Sequence, residues 1–162
     1  MAGERGQYQG SALQAIDGKG RVAIPANLRA TIERNATDRL VLIAPHESDA
    51  CLSGYDRGWS EALASRIDRQ EQRALDSGGQ FDRHATARQA FAMVDEVPFD
   101  ASGRFILPPF LRRKAQLDEL AVFVGALGTF EIWNPQVLLA AGNVPSGLKE
   151  KVEYLLAERA AA

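Results

Sequence analysis

A motif that occurs twice limits what this 162-residue chain can fold into. Residues 15–29 read AIDGKGRVAIPANLR, and residues 98–112 read PFDASGRFILPPFLR. Each copy has an Asp-x-x-Gly-Arg turn between short apolar segments, followed by proline and a run that is compatible with a helix. A single duplication at this spacing predicts two small modules that are related by a pseudo-twofold axis and form one folded unit.

The composition of each turn predicts its conformation. Asp17 and Asp100 can accept hydrogen bonds from main-chain N–H groups downstream, and we expect Gly18, Gly20 and Gly103 to shape the turns. In the first turn, both glycines can accept positive φ. The apolar segments on either side of that turn are expected to pair with each other as a hairpin.

The rest of the pattern predicts an α+β fold that is rich in strands. Both modules have the order β, β, α, β, β, with proline at the start of the short helix. We place the first module at residues 11–58, a helical connector at 59–92, the second module at 93–136 and a C-terminal helical tail at 137–162.

Amphipathic stripes predict the helices outside the modules. The connector has two stripes, which are Trp59, Ala62, Leu63, Ile67 and Ala74 in the first and Ala87, Ala90, Phe91 and Val94 in the second. We expect both to be buried, with the charged residues between them in solvent. A last stripe is Leu148, Val152, Leu155 and Leu156. The polar and Gly-rich residues 1–10 predict a flexible tail.

Several classes of protein are disfavoured by composition. Cys51 is the single cysteine, and His46 and His84 have no second histidine at helical spacing, so we expect no disulfide, metal site or cofactor. Phosphate-loop and nucleophile-elbow patterns are absent from the sequence, so we expect no enzyme and no small-molecule substrate. Without a long apolar run or a secretory signal, the expected location is the cytoplasm, away from the membrane.

Charge is distributed unevenly along the chain. The net charge is −2, but residues 1–34 carry +2 and residues 83–117 carry +3, against −4 for residues 35–82 and −3 for residues 118–162. The positive charge therefore accompanies the two copies of the motif. Such segregation predicts basic faces on one side of an acidic body, although ordinary scatter gives excesses of similar size.

Two interpretations of the turn arginines remain open. In one, Arg21 pairs with Asp17 and only holds the turn. In the other, the basic side chains point toward duplex DNA, and these are Lys19, Arg21, Arg29, Arg104, Arg112, Arg113 and Lys114. The arginine fork suits phosphate and the guanine edge, whereas lysine supplies a point charge. Both interpretations can hold at once, and two copies match the twofold symmetry of a duplex.

The doubled motif, each copy followed by Pro and Leu-Arg, resembles the MraZ family of AbrB-like swapped-hairpin proteins. The sequence EIW at residues 131–133 is also similar to the second module of that family. The resemblance implies two AbrB-like modules that pair as a pseudo-dimer with a β-barrel-like core. The resemblance also implies that DNA is contacted by Asp17 and Arg21 in the first copy and by Asp100 and Arg104 in the second. Ser102 stands where a lysine would match Lys19, so the resemblance gives the first turn more weight.

The resemblance also implies a function. MraZ proteins are bacterial regulators of the division and cell-wall gene cluster, and they bind short direct repeats near its promoter as rings. We therefore expect a sequence-specific DNA-binding regulator, a repressor, that forms a homo-oligomeric ring and associates with the nucleoid. The alternative is an oligomeric scaffold whose turns contact protein, with weak or no DNA binding. RNA binding is disfavoured because few exposed aromatic residues are expected for base stacking.

Overall fold

A computed structural model describes residues 4–162, which form eight strands and six helices in an α+β fold. The strands are β1 (Ser11–Ala15), β2 (Arg21–Ala23), β3 (Leu40–Pro45), β4 (Leu52–Tyr55), β5 (Asp95–Pro98), β6 (Arg104–Ile106), β7 (Leu120–Ala126) and β8 (Thr129–Trp133). The helices are α1 (Ala26–Asn35), α2 (Arg57–Asp76), α3 (Arg83–Phe91), α4 (Pro109–Lys114), α5 (Pro135–Ala140) and α6 (Ser146–Ala161). The predicted order β, β, α, β, β is found around both copies of the motif. None of these helices has the length and apolar character that a membrane span requires.

The strands form one six-stranded antiparallel sheet and a separate two-stranded ribbon. The order in the sheet is β1-β7-β8-β4-β3-β5, and β2 pairs with β6 in the ribbon. This order is symmetric about the β8–β4 pair, because β1, β7 and β8 on one side correspond to β5, β3 and β4 on the other. The sheet is open, with β1 and β5 at its edges, so the expected barrel-like closure is not formed. The edge strands β1 and β5 each have a single partner in the sheet, and β2 and β6 pair with each other in the separate ribbon.

Strand pairing crosses between the two copies of the motif. The edge strand β1 pairs with β7, and its counterpart β5 pairs with β3. In the ribbon, Val22 of β2 lies opposite Phe105 of β6. The expected hairpin of the segments around the first turn is therefore wrong beyond its closing residues. β2 pairs with β6 instead, and the central side chains of these two strands, Val22 and Phe105, are both buried.

A continuous core joins the two copies. The first copy contributes Val22 and Leu28, and the second contributes Phe105 and Leu111, all buried in one cluster with Phe130 of β8. Leu28 and Leu111 lie on α1 and α4, the short helices that follow each proline. The boundaries of the predicted modules and their AbrB-like class stay predictions, but the strand exchange makes the two halves structurally interdependent.

The helices outside the motif are less buried than their stripes predicted. In α2 only Ile67 is buried, and in α3 no residue is buried, with Phe91 38% exposed. The prediction of a buried stripe on α3 is therefore wrong, because a nine-residue helix packed mainly on α2 has no sheet beneath it. In α6, Val152 is buried against a second cluster that includes Trp133 and Leu138.

The N-terminal segment is anchored, so the predicted flexible tail is wrong for residues 4–10, while residues 1–3 lie outside the described part of the chain. Tyr8 is 1% exposed, and its hydroxyl donates to Oδ2 of Asp56 at 2.6 Å. Asp56 is fully buried and caps α2 by accepting from the main-chain N–H of Trp59. Arg5 donates two hydrogen bonds to the Asp56 carboxylate, at 2.9 and 2.8 Å, and the side-chain amide of Asn35 donates one at 3.1 Å.

Candidate nucleic-acid interface

The carboxylate of Asp17 organises the first turn. Its Oδ1 accepts hydrogen bonds from the main-chain N–H groups of Lys19 and Arg21, both at 2.9 Å. Its Oδ2 accepts a hydrogen bond from Nε of Arg21 at 2.7 Å. The main chain closes the turn through Gly20 N–H and Asp17 C=O at 3.0 Å. Hydrogen bonds from the main chain and then the side chain of Arg21 lower the pKa of Asp17 to about 2. The carboxylate is therefore ionised at neutral pH and keeps its hold on the turn.

The second turn repeats this geometry. Oδ1 of Asp100 accepts the main-chain N–H groups of Ser102 and Arg104, both at 2.9 Å, and Oδ2 accepts Nε of Arg104 at 3.0 Å. The pKa of Asp100 is also lowered, first by the main-chain hydrogen bond from Arg104. The two turns thus present their arginines in the same way, and they differ in having Gly18 and Lys19 in the first turn where the second has Ala101 and Ser102.

Each aspartate holds its arginine by Nε, which leaves the end of the guanidinium open. The side chains of Arg21 and Arg104 are 45% and 57% exposed. Across residues 4–162, no protein acceptor is hydrogen-bonded to the Nη1 or Nη2 atoms of either residue. Two oriented donor pairs of this kind suit the paired acceptors of phosphate or of the guanine edge.

The ribbon of β2 and β6 displays these arginines on its outer face. Alternation along the strands buries Val22 and Phe105 and leaves the residues on either side of them facing outward. In the register, Arg21 lies opposite Ile106, and Arg104 lies opposite Ala23. Paired strands are about 4.8 Å apart, so a two-stranded ribbon is narrow enough to enter the roughly 12 Å wide major groove.

Arg29 and Arg112 lie behind the turns of the opposite copy. A methyl group at Gly103 would approach Nη1 of Arg29 to 2.8 Å, and one at Gly20 would approach Nη1 of Arg112 to 3.2 Å. Arg112 also donates to the carbonyl groups of Leu117 and Asp118, at 3.1 and 2.8 Å. Contact of Arg29 and Arg112 with DNA stays a prediction, and the geometry gives both a further role in supporting the turns.

The turn glycines have unequal roles. Gly20 and Gly103 have φ of 81° and 82°, in the left-handed region that favours glycine. Gly18 does not have a positive φ, and a methyl group there would meet no atom of the described residues within 4 Å. The expectation of positive φ at both glycines of the first turn is therefore wrong for Gly18. A three-residue turn of this kind needs a single residue in the left-handed region, and here that residue is Gly20.

We expect Gly103→Ala to destabilise the fold by about 2–3 kcal/mol, from backbone strain and from crowding of the Ile24 carbonyl oxygen, which would lie 3.0 Å from the new methyl group. Gly18→Ala is the matched control, and its expected effect is within about 0.5 kcal/mol. Urea unfolding of both variants measures the difference. Equal stability of the two variants would contradict the assigned role of Gly103.

A second cluster of polar side chains lies away from the ribbon. His46, Cys51 and Glu131 bring their ligand atoms within 4.8 Å of one another. However, Nδ1 of His46 accepts hydrogen bonds from two main-chain N–H groups of its own loop, at 3.2 and 3.0 Å, and Nε2 faces Glu131 at 3.4 Å. Trp133 donates to the other oxygen of Glu131 at 2.8 Å. Burial, then Glu131, raises the pKa of the Cys51 thiol and so disfavours the thiolate that a metal ion would bind.

Comparison with known proteins identifies the family. Residues 90–137 match the family described as "MraZ protein, putative antitoxin-like". A protein of Rhodospirillum rubrum named "Transcriptional regulator MraZ" is 33% identical over 134 residues, which cover 83% of this chain and 83% of the relative. The chain belongs to the MraZ family. A protein of Alcanivorax borkumensis with the same name is 31% identical over 150 residues, covering 91% of this chain and 98% of the relative.

The MraZ match includes the second copy of the motif. Residues 90–137 contain β5, the Asp100 turn, β6, α4, β7 and β8, and therefore one strand of the ribbon with Arg104. The sequence-based prediction of the family is confirmed. Because the relatives cover most of the chain, the similarity to MraZ proteins extends well beyond this segment.

Proposed function

We propose that this chain is a DNA-binding transcriptional regulator that reads the major groove with the β2–β6 ribbon. The observation that carries the proposal is the pair of arginines, Arg21 and Arg104, whose Nη atoms extend from one exposed face while aspartates hold their Nε atoms. The name of the relatives, transcriptional regulator, supports the same function.

The charge around the ribbon supports binding to a polyanion. Asp17 and Asp100 each pair with an arginine, so their negative charge is neutralised locally. Further basic residues belong to the two turns and the helices that follow them, and these are Lys19, Arg29, Arg112, Arg113 and Lys114. A net charge of −2 for the whole chain is therefore compatible with a locally basic binding face.

The finer parts of the proposal concern assembly and target. We propose a homo-oligomeric ring that binds short direct repeats near the promoter of the division and cell-wall gene cluster and represses it, in the cytoplasm at the nucleoid. Each ribbon offers few contacts, and a ring that presents several ribbons to tandem sites gains affinity through effective concentration. Leu75 and Phe91, 59% and 38% exposed on α2 and α3, are available for subunit contacts.

Salt dependence tests this function. If Lys19 contacts a phosphate, Lys19→Ala makes the plot of log affinity against log salt concentration less steep. The slope should decrease in magnitude by about one for each Asp17 turn of the oligomer that contacts the DNA. Fluorescence anisotropy titrations on a fragment of the promoter measure the slope, with Ser102→Ala as the control at the equivalent position. Wild-type binding that is independent of salt would contradict the proposal.

The second candidate function is an oligomeric scaffold with weak or no DNA binding. The exposed apolar side chains of α2 and α3 and the negative overall charge favour it. Light scattering with and without the promoter fragment separates the two functions. A regulator gains the mass of the DNA, whereas a scaffold keeps the same mass in both samples.

A further inference from the structure

We propose that Ile106 is a specificity-determining residue that contacts the methyl group of a thymine in the major groove. This inference rests on the proposed function and deepens it, since it names a base that the ribbon recognises. The chain neighbours of Ile106 are buried, with Phe105 on β6 at 3% exposed and Leu107 just after the strand at 2%, whereas Ile106 is 57% exposed on the outer face.

Exposure alone does not carry the inference, because single apolar side chains are common on protein surfaces. The position of Ile106 carries it. Arg21 lies directly opposite in the register, with Cβ atoms about 5 Å apart for such a pair, and Arg104 lies two residues earlier on the same face, about 7 Å away. A partner surface that covers Ile106 must therefore also accept two oriented guanidinium groups.

The floor of the major groove has this combination of groups. Guanine presents two acceptors to an arginine fork, and the C5-methyl group of thymine is the apolar group that the bases display there. The guanidinium groups of Arg21 and Arg104, with the side chain of Ile106 adjacent to both arginines on this face, match a guanine with a neighbouring thymine. An acidic protein surface would satisfy the arginines, but it would offer an apolar contact only by coincidence.

The twofold relation of the two copies sharpens the inference. The position equivalent to Ile106 in the first copy is Ala23, which is shorter and partly buried. The two halves of the ribbon face therefore differ in the length and exposure of their apolar side chain. They also differ in having Lys19 on one side and Ser102 on the other. We expect the preferred site of one ribbon to contain a methyl-sensitive thymine on one side of its centre and none at the symmetric position.

The test uses the full chain and begins with selection of preferred sites from random duplexes. Each thymine of the selected site is then replaced by deoxyuridine, which pairs identically but lacks the methyl group. For wild type we expect one replacement to weaken binding by about fourfold, the effect of removing one methyl contact. For Ile106→Ala, the ratio of affinities for the two duplexes is expected to be near one.

Leu127→Ala is the matched control, because Leu127 is 64% exposed in the β7–β8 turn. It is bridged to Tyr8, whereas Leu120 at the start of β7 pairs with Ala15 beside the Asp17 turn, so Leu127 lies at the far end of these strands. This variant should keep the wild-type ratio.

The outcomes separate the inference from the proposed function. If wild type binds no duplex, the proposed function fails. If wild type selects a site but is indifferent to deoxyuridine throughout it, or if Ile106→Ala keeps the wild-type ratio, the inference alone is overturned. An unchanged ratio with a changed oligomer mass in light scattering would assign Ile106 to a subunit contact instead.

Discussion

Replacement of both Arg21 and Arg104 by alanine is expected to weaken binding to the preferred duplex by about 30-fold or more. Each bidentate contact between arginine and guanine contributes about 1–3 kcal/mol of discrimination, and the ribbon carries two such side chains. The fold should be unaffected, since both arginines are on the surface and, within residues 4–162, each forms its ion pair with the aspartate of its own turn. Mobility-shift titrations at constant salt measure the loss, and thermal unfolding checks the fold.

Two further variants make this test specific. Arg69→Ala removes an exposed arginine of α2 and should leave DNA affinity unchanged. Replacement of Arg21 and Arg104 by lysine keeps the charge but removes the donor fork. The lysine variant should therefore retain binding to random duplex and its salt dependence while it loses preference for the selected site. Wild-type affinity in the double alanine variant would refute the assignment of both arginines to DNA.

The local chemistry of the turns could be predicted from sequence. An aspartate that bonds main-chain N–H groups two and four residues later, with a left-handed glycine before the arginine, forms within five residues of chain. The repeat then showed that this unit occurs twice. It also gave the order of strands and helices around each copy, because each element had its own apolar pattern and start signal.

The partners of each element could not be predicted in the same way. The expected hairpin was wrong because β1 finds its partner, β7, in the other half of the chain, and no local pattern encodes that choice. The packing of Arg29 and Arg112 on the opposite turns depends on the same exchange. Ile106 appeared in sequence as one more apolar strand residue, and only the register placed it beside Arg21 on the outer face.

The anchoring of the N-terminal segment was also missed, because its polar residues resemble a tail unless their buried partner is known. We expect Asp56→Ala to lower the free energy of unfolding by about 3 kcal/mol, near the lower limit for breaking a buried ion pair. The variant loses the cap of α2 and leaves the Tyr8 hydroxyl without its acceptor. Asn35 loses one of the two hydrogen bonds of its side-chain amide and keeps the one to the Gly6 carbonyl. Arg5 is 36% exposed and can turn to water, which limits the cost. Urea unfolding at neutral pH measures the change.

Asp82→Ala is the matched control, because Asp82 caps α3 from an exposed position, and its loss should cost about 1 kcal/mol.

The stability that Asp56 contributes should depend on pH. Burial favours a higher pKa for Asp56, but hydrogen bonds from Arg5, Tyr8 and others outweigh the effect of burial and hold the pKa below 3.8. A lowered folded-state pKa stabilises the fold above pH 3.8, and this contribution is lost as pH falls through the folded value. The difference between wild type and Asp56→Ala should therefore narrow below pH 4, and Asp56→Asn, which keeps the cap, should fall between them. A cost equal to that of Asp82→Ala at neutral pH would mean that the capping hydrogen bond alone accounts for Asp56, and that its bonds to Arg5, Tyr8 and Asn35 add nothing to stability.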